Sequence, residues 1–345
     1  MRAIKIKTIL FLDNTYPEPY QVSTLESQAI GGTESSIIKT AQILSKFYRV
    51  LVAQKYRQNL HIENEQLSFI PKKTMTQYNP DYIVILRKYP ILKAIQKSFP
   101  NAKFFLWIHT YKNYEYAFKR IGLSNTNTTI ICNSKTHQQH TIKLLNNTLL
   151  GKLFSIVSKP TAVSYCYNPV DKPFNPIISK DSKKDLNKLL FFSSPNKGLK
   201  QIIKCFEYMN KQLPRLKLYI ANPGYKMDNN KVENTNIIIL GSLPHKEMME
   251  HLSQSLCVFY PQDSFAETFG LIYAEANAYR TVVMGHDIGA AYEILHKNNN
   301  LIDANNYDEI LETIKLWQRN YPEVNYNNDF SNETILSQWK ELFQP

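Results

Sequence analysis

Short apolar runs alternate with amphipathic helical segments along nearly the whole chain, and the alternation restarts midway. In the first half, residues 8–12, 49–53, 82–86, 104–108 and 129–132 read as strands, and 33–46, 91–99 and 136–145 as helices. Strand, helix and strand in succession call for crossover connections, so the strands should be parallel with helices on both faces. Residues 163–176, with three prolines, break the pattern, and a charged stretch at 179–188 follows. The second half resumes with strands at 189–193, 217–221, 236–240, 256–260 and 282–284, and a last helix is expected at 333–343. The expectation is two doubly wound, Rossmann-like halves joined near 174–187. At 345 residues the chain is long enough for two sizeable cores.

Several classes are disfavoured at once. No apolar run reaches the ~18–20 residues that a membrane span needs. Residues 1–12 read as a first strand and not as a signal peptide, because an acidic turn follows them and no small-residue cleavage site does. Cys132, Cys166, Cys205 and Cys257 are scattered in apolar stretches, which favours buried free thiols and a cytoplasmic setting. Neither half has a Gly-x-Gly-x-x-Gly turn after its first strand, and there is no P-loop. No metal-ligand cluster or Asp-x-Asp triplet stands out, so neither a metal nor a bound cofactor is expected. In open α/β sheets ligands bind at the carboxyl ends of the strands, which makes the cleft between two such halves the natural site.

The segment Ser264-Phe-Ala-Glu-Thr-Phe-Gly-Leu-Ile-Tyr-Ala-Glu-Ala-Asn-Ala278 holds two carboxylates eight residues apart, Glu267 and Glu275. An apolar strand ending at Pro261 precedes it, and a helix is expected to begin near Thr268 or Gly270. Between the two acids lie the N–H groups of Phe269, Gly270 and Leu271, where a helix start can hold a phosphate. A diphosphate there would have one carboxylate for the hydroxyls of a sugar and one for those of a ribose. The same spacing also fits two solvated charges on an ordinary helix. Residues 280–294 add a short buried-type strand (Val282, Val283), a Gly-bearing turn and another helix start. Only 10 of the residues are Gly, and seven of them (31, 32, 198, 224, 241, 270 and 289) fall at strand ends or loop–helix junctions. There the backbone can need positive φ or a close approach to a ligand.

Residues 256–295 resemble the donor-site region of GT-B glycosyltransferases, in particular the retaining family 4 (glycosyl transferases group 1). That family's pattern is acid, seven residues, acid, then a strand and a Gly-rich turn. Further segments are similar in order. Ala29-Ile-Gly-Gly-Thr-Glu-Ser-Ser36 resembles the loop that lies against the donor diphosphate, and it is also an ordinary helix start with Thr33 as N-cap. His109 ends a strand where the family often has His-Asp; here Thr110 follows. Asn133-Ser134 is similar to a strand-end serine before a helix. Cys166-Tyr-Asn-Pro-Val-Asp-Lys-Pro-Phe174 resembles the interdomain Asn-Gly-Val-Asp stretch, with Pro169 for the Gly. Leu189-Leu-Phe-Phe-Ser-Ser-Pro-Asn-Lys-Gly-Leu199 looks like the second domain's first strand and phosphate loop, with Ser193-Ser194-Pro195 where many members carry Gly-Arg. Ile220-Ala-Asn-Pro-Gly-Tyr225 and Leu240-Gly-Ser-Leu-Pro-His245 match later strand-end turns, the second near where the base rests.

The resemblance implies an α/β GT-B architecture of two facing Rossmann-like, doubly wound parallel-sheet domains with the site in the cleft. Residues 1–173 would be the acceptor side, joined by the C-terminal helix 331–345, and 187–330 the nucleotide-sugar donor domain. It implies metal-independent transfer of a hexosyl-type sugar to a hydroxyl, with retention at the anomeric carbon. Lys197, Ser193, Gly31, Gly32 and the amides of Phe269, Gly270 and Leu271 would hold the diphosphate. Glu267 would hold sugar hydroxyls, Glu275 the ribose hydroxyls, and His109 would face the reacting carbon. The acceptor would be a glycan, a lipid-linked molecule or a protein. A non-catalytic sugar-nucleotide-binding relative is the alternative, given the missing arginine and Thr110. A nucleic-acid binder is a more distant one, suggested by net charge +12 and 22 tyrosines but by no DNA or RNA motif.

Charge is divided unevenly. Residues 1–173 carry 23 Lys and Arg against 9 Asp and Glu, and the remainder 18 against 20. Between 66 and 103 there are seven basic residues and one acid, Asp81; Ile91, Leu92, Ile95 and Phe99 share a helical face there, with Lys93 and Lys97 close by. This is either an ordinary packed helix with a solvated lysine edge, or a surface that docks on an anionic membrane or an acidic acceptor.

Overall fold

The computed structural model describes residues 6–173, 184–222 and 234–344. Phe174, Gly224 and Tyr225 lie outside the described residues. Two compact units emerge. One comprises Met1–Val22, Thr33–Pro169 and Asn332–Pro345, the other Ser23–Gly32 and Val170–Ser331.

The first unit is built on an eight-stranded sheet: β1 (Thr8–Asp13), β2 (Arg49–Gln54), β3 (His61–Ile62), β4 (Leu67–Pro71), β5 (Tyr82–Leu86), β6 (Lys103–Trp107), β7 (Thr129–Cys132) and β8 (Val163–Tyr165). Its order is β3-β4-β2-β1-β5-β6-β7-β8, parallel throughout except for β3, which pairs antiparallel with β4. The central strands are buried on both faces, which is why they read as continuous apolar runs. The last helix, Asn332–Phe343, belongs to this unit. Its Trp339 packs edge-on to Phe11 and Trp107, with ring centroids at 5.6 and 5.2 Å, and Phe343 stacks on Tyr82 at 4.4 Å.

The second unit holds β9 (Asp185–Phe192), β10 (Lys217–Asn222), β11 (Ile237–Ser242), β12 (Ser255–Phe259), β13 (Val282–Gly285) and β14 (Asn300–Leu301). All pairs are parallel, in the order β11-β10-β9-β12-β13-β14. The chain moves from β9 outward through β10 to β11 and then returns to β12 on β9's other side. That reversal opens a crevice beyond the carboxyl ends of β9 and β12. In the first unit the equivalent point lies between β1 and β5.

Two expectations are corrected. The proline-bearing stretch from 163 begins with a strand, β8, at the sheet edge, where nearby prolines disturb no ladder on the outer side. The apolar face of helix Leu92–Ser98 is packed: Leu92, Ile95 and Phe99 join the core cluster beneath the sheet. It is an ordinary amphipathic helix, and its apolar side is not available to a membrane.

Candidate active site

The crevice of the second unit is lined by two loops, one after β9 and one after β12. The first carries Ser193 to Lys197 and leads through Gly198 into the helix Leu199–Asn210; the second carries Tyr260 to Gly270 and leads into the helix Leu271–Ala278. Their side chains meet. Lys197 Nζ stands 2.8 Å from Glu267 Oε1, and the Tyr260 hydroxyl donates to the same oxygen at 3.0 Å. Ser193 is buried just beyond the end of β9, near the Tyr260 hydroxyl. Burial first, and then the Glu267 charge, raise the Tyr260 pKa well above the usual phenol value, so this hydroxyl keeps its proton and remains a donor. The Lys197 ammonium also lies over the Phe265 ring, 4.5 Å from its centroid.

The main chain at Glu267 is fixed from the other side. Gly289, in the turn after β13, forms an isolated parallel bridge with Glu267, and the Ala290 N–H donates to the Glu267 carbonyl at 2.9 Å. Gly289 has φ +67, and a Cβ there would sit 2.6 Å from that carbonyl oxygen, so no other residue fits without displacing Glu267. The loop before it is tied by Gln262, whose Oε1 accepts from the N–H groups of Ser264 and Phe265.

The helix begins one residue later than the spacing suggests. Gly270 is its N-cap at φ +81, and a Cβ on it would clash with the Tyr273 ring at 2.4 Å. The amides that open the helix are therefore those of Gly270, Leu271 and Ile272. Phe269 sits just ahead, its ring buried against Phe330 at 4.9 Å. Glu275, two turns along, bonds to His245 Nε2 at 2.9 Å. His245 opens the helix His245–Gln254 that follows β11. Glu267 and Glu275 are thus both largely buried and each is held by its own partner. A cavity of about 310 Å³ lies elsewhere, between Ala274 and Asn277 on one side and residues 325–330 on the other, and none of these polar groups lines it.

Gly31 and Gly32 belong to the second unit, and a Cβ on Gly32 would meet Leu271 Cδ1 at 3.1 Å, which brings Gly32 to the helix start of the site. The helix Gly32–Leu44 opens at Gly32, so Thr33 lies inside it and is not its N-cap. His109 follows β6, its ring 4.7 Å from Trp107. Burial, then the charges of Arg87 and His137, hold its pKa well below the usual imidazole value, so it is neutral. Ser134 is the N-cap of helix Lys135–Ile142, accepting from the His137 N–H at 3.1 Å.

Sequence reasoning missed three sets of residues. Tyr260 reads as the last apolar residue of a strand, and its hydroxyl gives no pattern. His245 was visible only as the end of a strand-end turn. At the first unit's own reversal point, Arg87 bonds Glu34 at 2.7 Å and lies 3.7 Å from Asp13. No motif joins these three positions.

Comparison with known proteins agrees with this layout. Residues 176–335 match the family model of glycosyl transferases group 1. No curated protein matches in sequence. Among solved structures, AviGT4, a glycosyltransferase involved in avilamycin A biosynthesis, superposes with TM-score 0.65 at 13% identity, covering 98% of this chain and 97% of its own. Anabaena HepE, solved with UDP and glucose, gives 0.66 at 16% identity, covering 97% and 99%. A glycosyltransferase from Rickettsia africae gives 0.61 at 14%, covering 98% of each. The chain has the GT-B fold, and its residues 176–335 are similar to the glycosyl transferases group 1 family.

Proposed function

We propose that this protein transfers a hexosyl-type sugar from a nucleoside-diphosphate sugar to a hydroxyl acceptor, with retention of anomeric configuration and without a divalent metal. The observation that carries this reading is the Lys197–Glu267 pair at the reversal point of the second sheet, beside a helix start. Breaking a sugar–phosphate bond leaves an oxocarbenium-like sugar and an anionic diphosphate. Lys197 and the amides of residues 270–272 are positioned to meet that departing charge, each such donor being worth about 3 kcal/mol in a dry site. Glu267, oriented by Tyr260, suits sugar hydroxyls. Glu275, oriented by His245, suits the ribose. Gly31, Gly32, Ser193 and Phe269 enter as further contacts of the diphosphate, and His109 enters beside the reacting carbon, through resemblance.

Among the described residues, no three His, Cys, Asp or Glu side chains gather as a metal site, and Lys197 is the cation on which this proposal relies. HepE was solved with UDP and glucose, so uridine nucleotides are the first donors to try. The acceptor would be a glycan, a lipid-linked molecule or a protein. A thermal-shift screen of uridine, guanosine and adenosine diphosphates and their sugars, followed by product analysis, tests the proposal. Transfer or donor hydrolysis supports an enzyme. Tight binding with neither would instead support the non-catalytic relative that Thr110 and the Ser-Ser-Pro loop allow.

A further inference from the structure

Monomeric surfaces seldom leave several large apolar side chains exposed together. In the first unit, Tyr114, Phe118, Leu149, Leu153, Ile156 and Val157 are all exposed, Leu149 to 87% and Ile156 to 79%. They come from two stretches, a 3₁₀ turn at Tyr114–Lys119 and the helix Leu149–Phe154 with the residues after it. The Phe118 and Phe154 rings join the stretches at 5.7 Å.

This platform is built. Arg120, fully buried, donates to the carbonyls of Gly151 at 2.6 Å and Leu145 at 3.2 Å, and to the Ser158 hydroxyl at 3.1 Å. Thr148 caps the helix by accepting from the Gly151 N–H at 3.1 Å. The backbone of 145–158 is therefore clamped, and the apolar side chains point outward from a fixed frame.

Charge identifies the occupant. Residues 112–160 contain seven Lys and Arg against one acid, Glu115. Lys119 and Lys152 are exposed within these stretches, and Lys143 and Lys159 flank the second of them, also exposed. We propose that residues 114–119 and 148–157 dock this unit onto an anionic lipid bilayer, the apolar side chains entering the boundary of headgroups and acyl chains and the lysines meeting lipid phosphates. A second copy of the chain fits poorly, because a self-paired face would bring the same positive charges together. The proposal does not rest on the glycosyltransferase reading, and it places membrane contact away from helix Leu92–Ser98.

Sedimentation with phosphatidylglycerol vesicles, phosphatidylcholine vesicles as the control, tests it on the full chain. Wild-type protein should bind the anionic vesicles, and binding should fall with salt. Leu149→Ser with Ile156→Ser should reduce it at least tenfold at unchanged melting temperature, since both positions are solvent-facing. Lys119→Gln, Lys152→Gln and Lys159→Gln should each weaken it by roughly fivefold. Absence of binding to anionic vesicles, or equal binding by wild type and both sets of variants, would overturn the proposal. So would a dimer, seen by light scattering, that the Leu149 and Ile156 changes dissolve.

Discussion

The carboxyl edges of the two sheets share a topology but are filled differently. In the first unit the reversal point is closed by the protein's own charges: Arg87 lies against Glu34 and Asp13, both buried, and bonds the Thr15 hydroxyl. In the second, the corresponding point carries glycine-hinged loops, a helix start and a Lys197–Glu267 pair, the lysine a quarter exposed. The two cations are equally exposed; the difference is that Arg87 faces two buried carboxylates, whereas Lys197 faces one, beside helix amides where an anion can approach. The same scaffold thus yields a structural ion cluster in one half and a candidate diphosphate site in the other.

The largest effect that would sharpen this contrast is on stability. Arg87→Met leaves two buried carboxylates without their counter-charge and should cost about 3 kcal/mol, toward the lower end for a broken pair because Arg87 is itself a quarter exposed. The loss should depend on pH. Burial already holds the Glu34 pKa above the usual carboxylate value, and Arg87 opposes that rise. A carboxyl whose folded pKa exceeds its unfolded one favours folding while protonated and loses that advantage as pH climbs through the interval. Urea melts of the variant and wild type should therefore differ least near pH 4.5 and most near pH 8. An equal difference at both would mean that Arg87 acts through packing alone.

Next in size, Lys197→Ala should lower turnover by about 10²-fold or more, with a smaller loss of stability than Arg87→Met because Glu267 keeps the Tyr260 hydroxyl. Glu267→Ala should likewise act mainly on turnover. Gly289→Ala should cost about 1–2 kcal/mol of stability for the φ +67 backbone and should reduce activity further by pushing Glu267 aside. Activity unchanged in that variant would disconnect the turn from the site. Glu275→Ala should weaken donor binding by roughly tenfold with a smaller effect on turnover, because ribose contacts hold alike in ground and transition states. The smallest effect expected is that of EDTA, which should leave the rate unchanged. Loss of activity restored by Mg²⁺ or Mn²⁺ would give the cation's role to a metal.

Much of the fold was legible because doubly buried parallel strands must be apolar throughout. The strands at 82–86 and 129–132 begin and end where the residue pattern places them. Of the strands that escaped, β3, β8 and β14 are two or three residues long and carry no periodicity, while β4 is a five-residue Leu-Ser-Phe-Ile-Pro run whose terminal proline reads as a turn. Helix Leu92–Ser98 shows the limit of amphipathic patterning, since a face of Leu92 and Ile95 looks the same whether it meets a core or a bilayer. The exposed apolar residues at 149–157 resemble a buried helix in sequence, and nothing in that pattern tells that they face solvent over a backbone held by the buried Arg120. At the candidate site the acids and Lys197 were visible through motif spacing. Their partners were not: Tyr260 and His245 gain meaning only when β11 and β12 bring separate loops together.

The central claim is that the edge of the second sheet, and not that of the first, holds a nucleoside diphosphate. Titration calorimetry with UDP, or with whichever diphosphate a thermal-shift screen favours, on wild type, Lys197→Ala and Arg87→Met tests it directly, at a temperature where all three are folded. Binding should be at least tenfold weaker in Lys197→Ala and close to wild type in Arg87→Met. Undiminished affinity in Lys197→Ala, together with loss in Arg87→Met, would contradict the account.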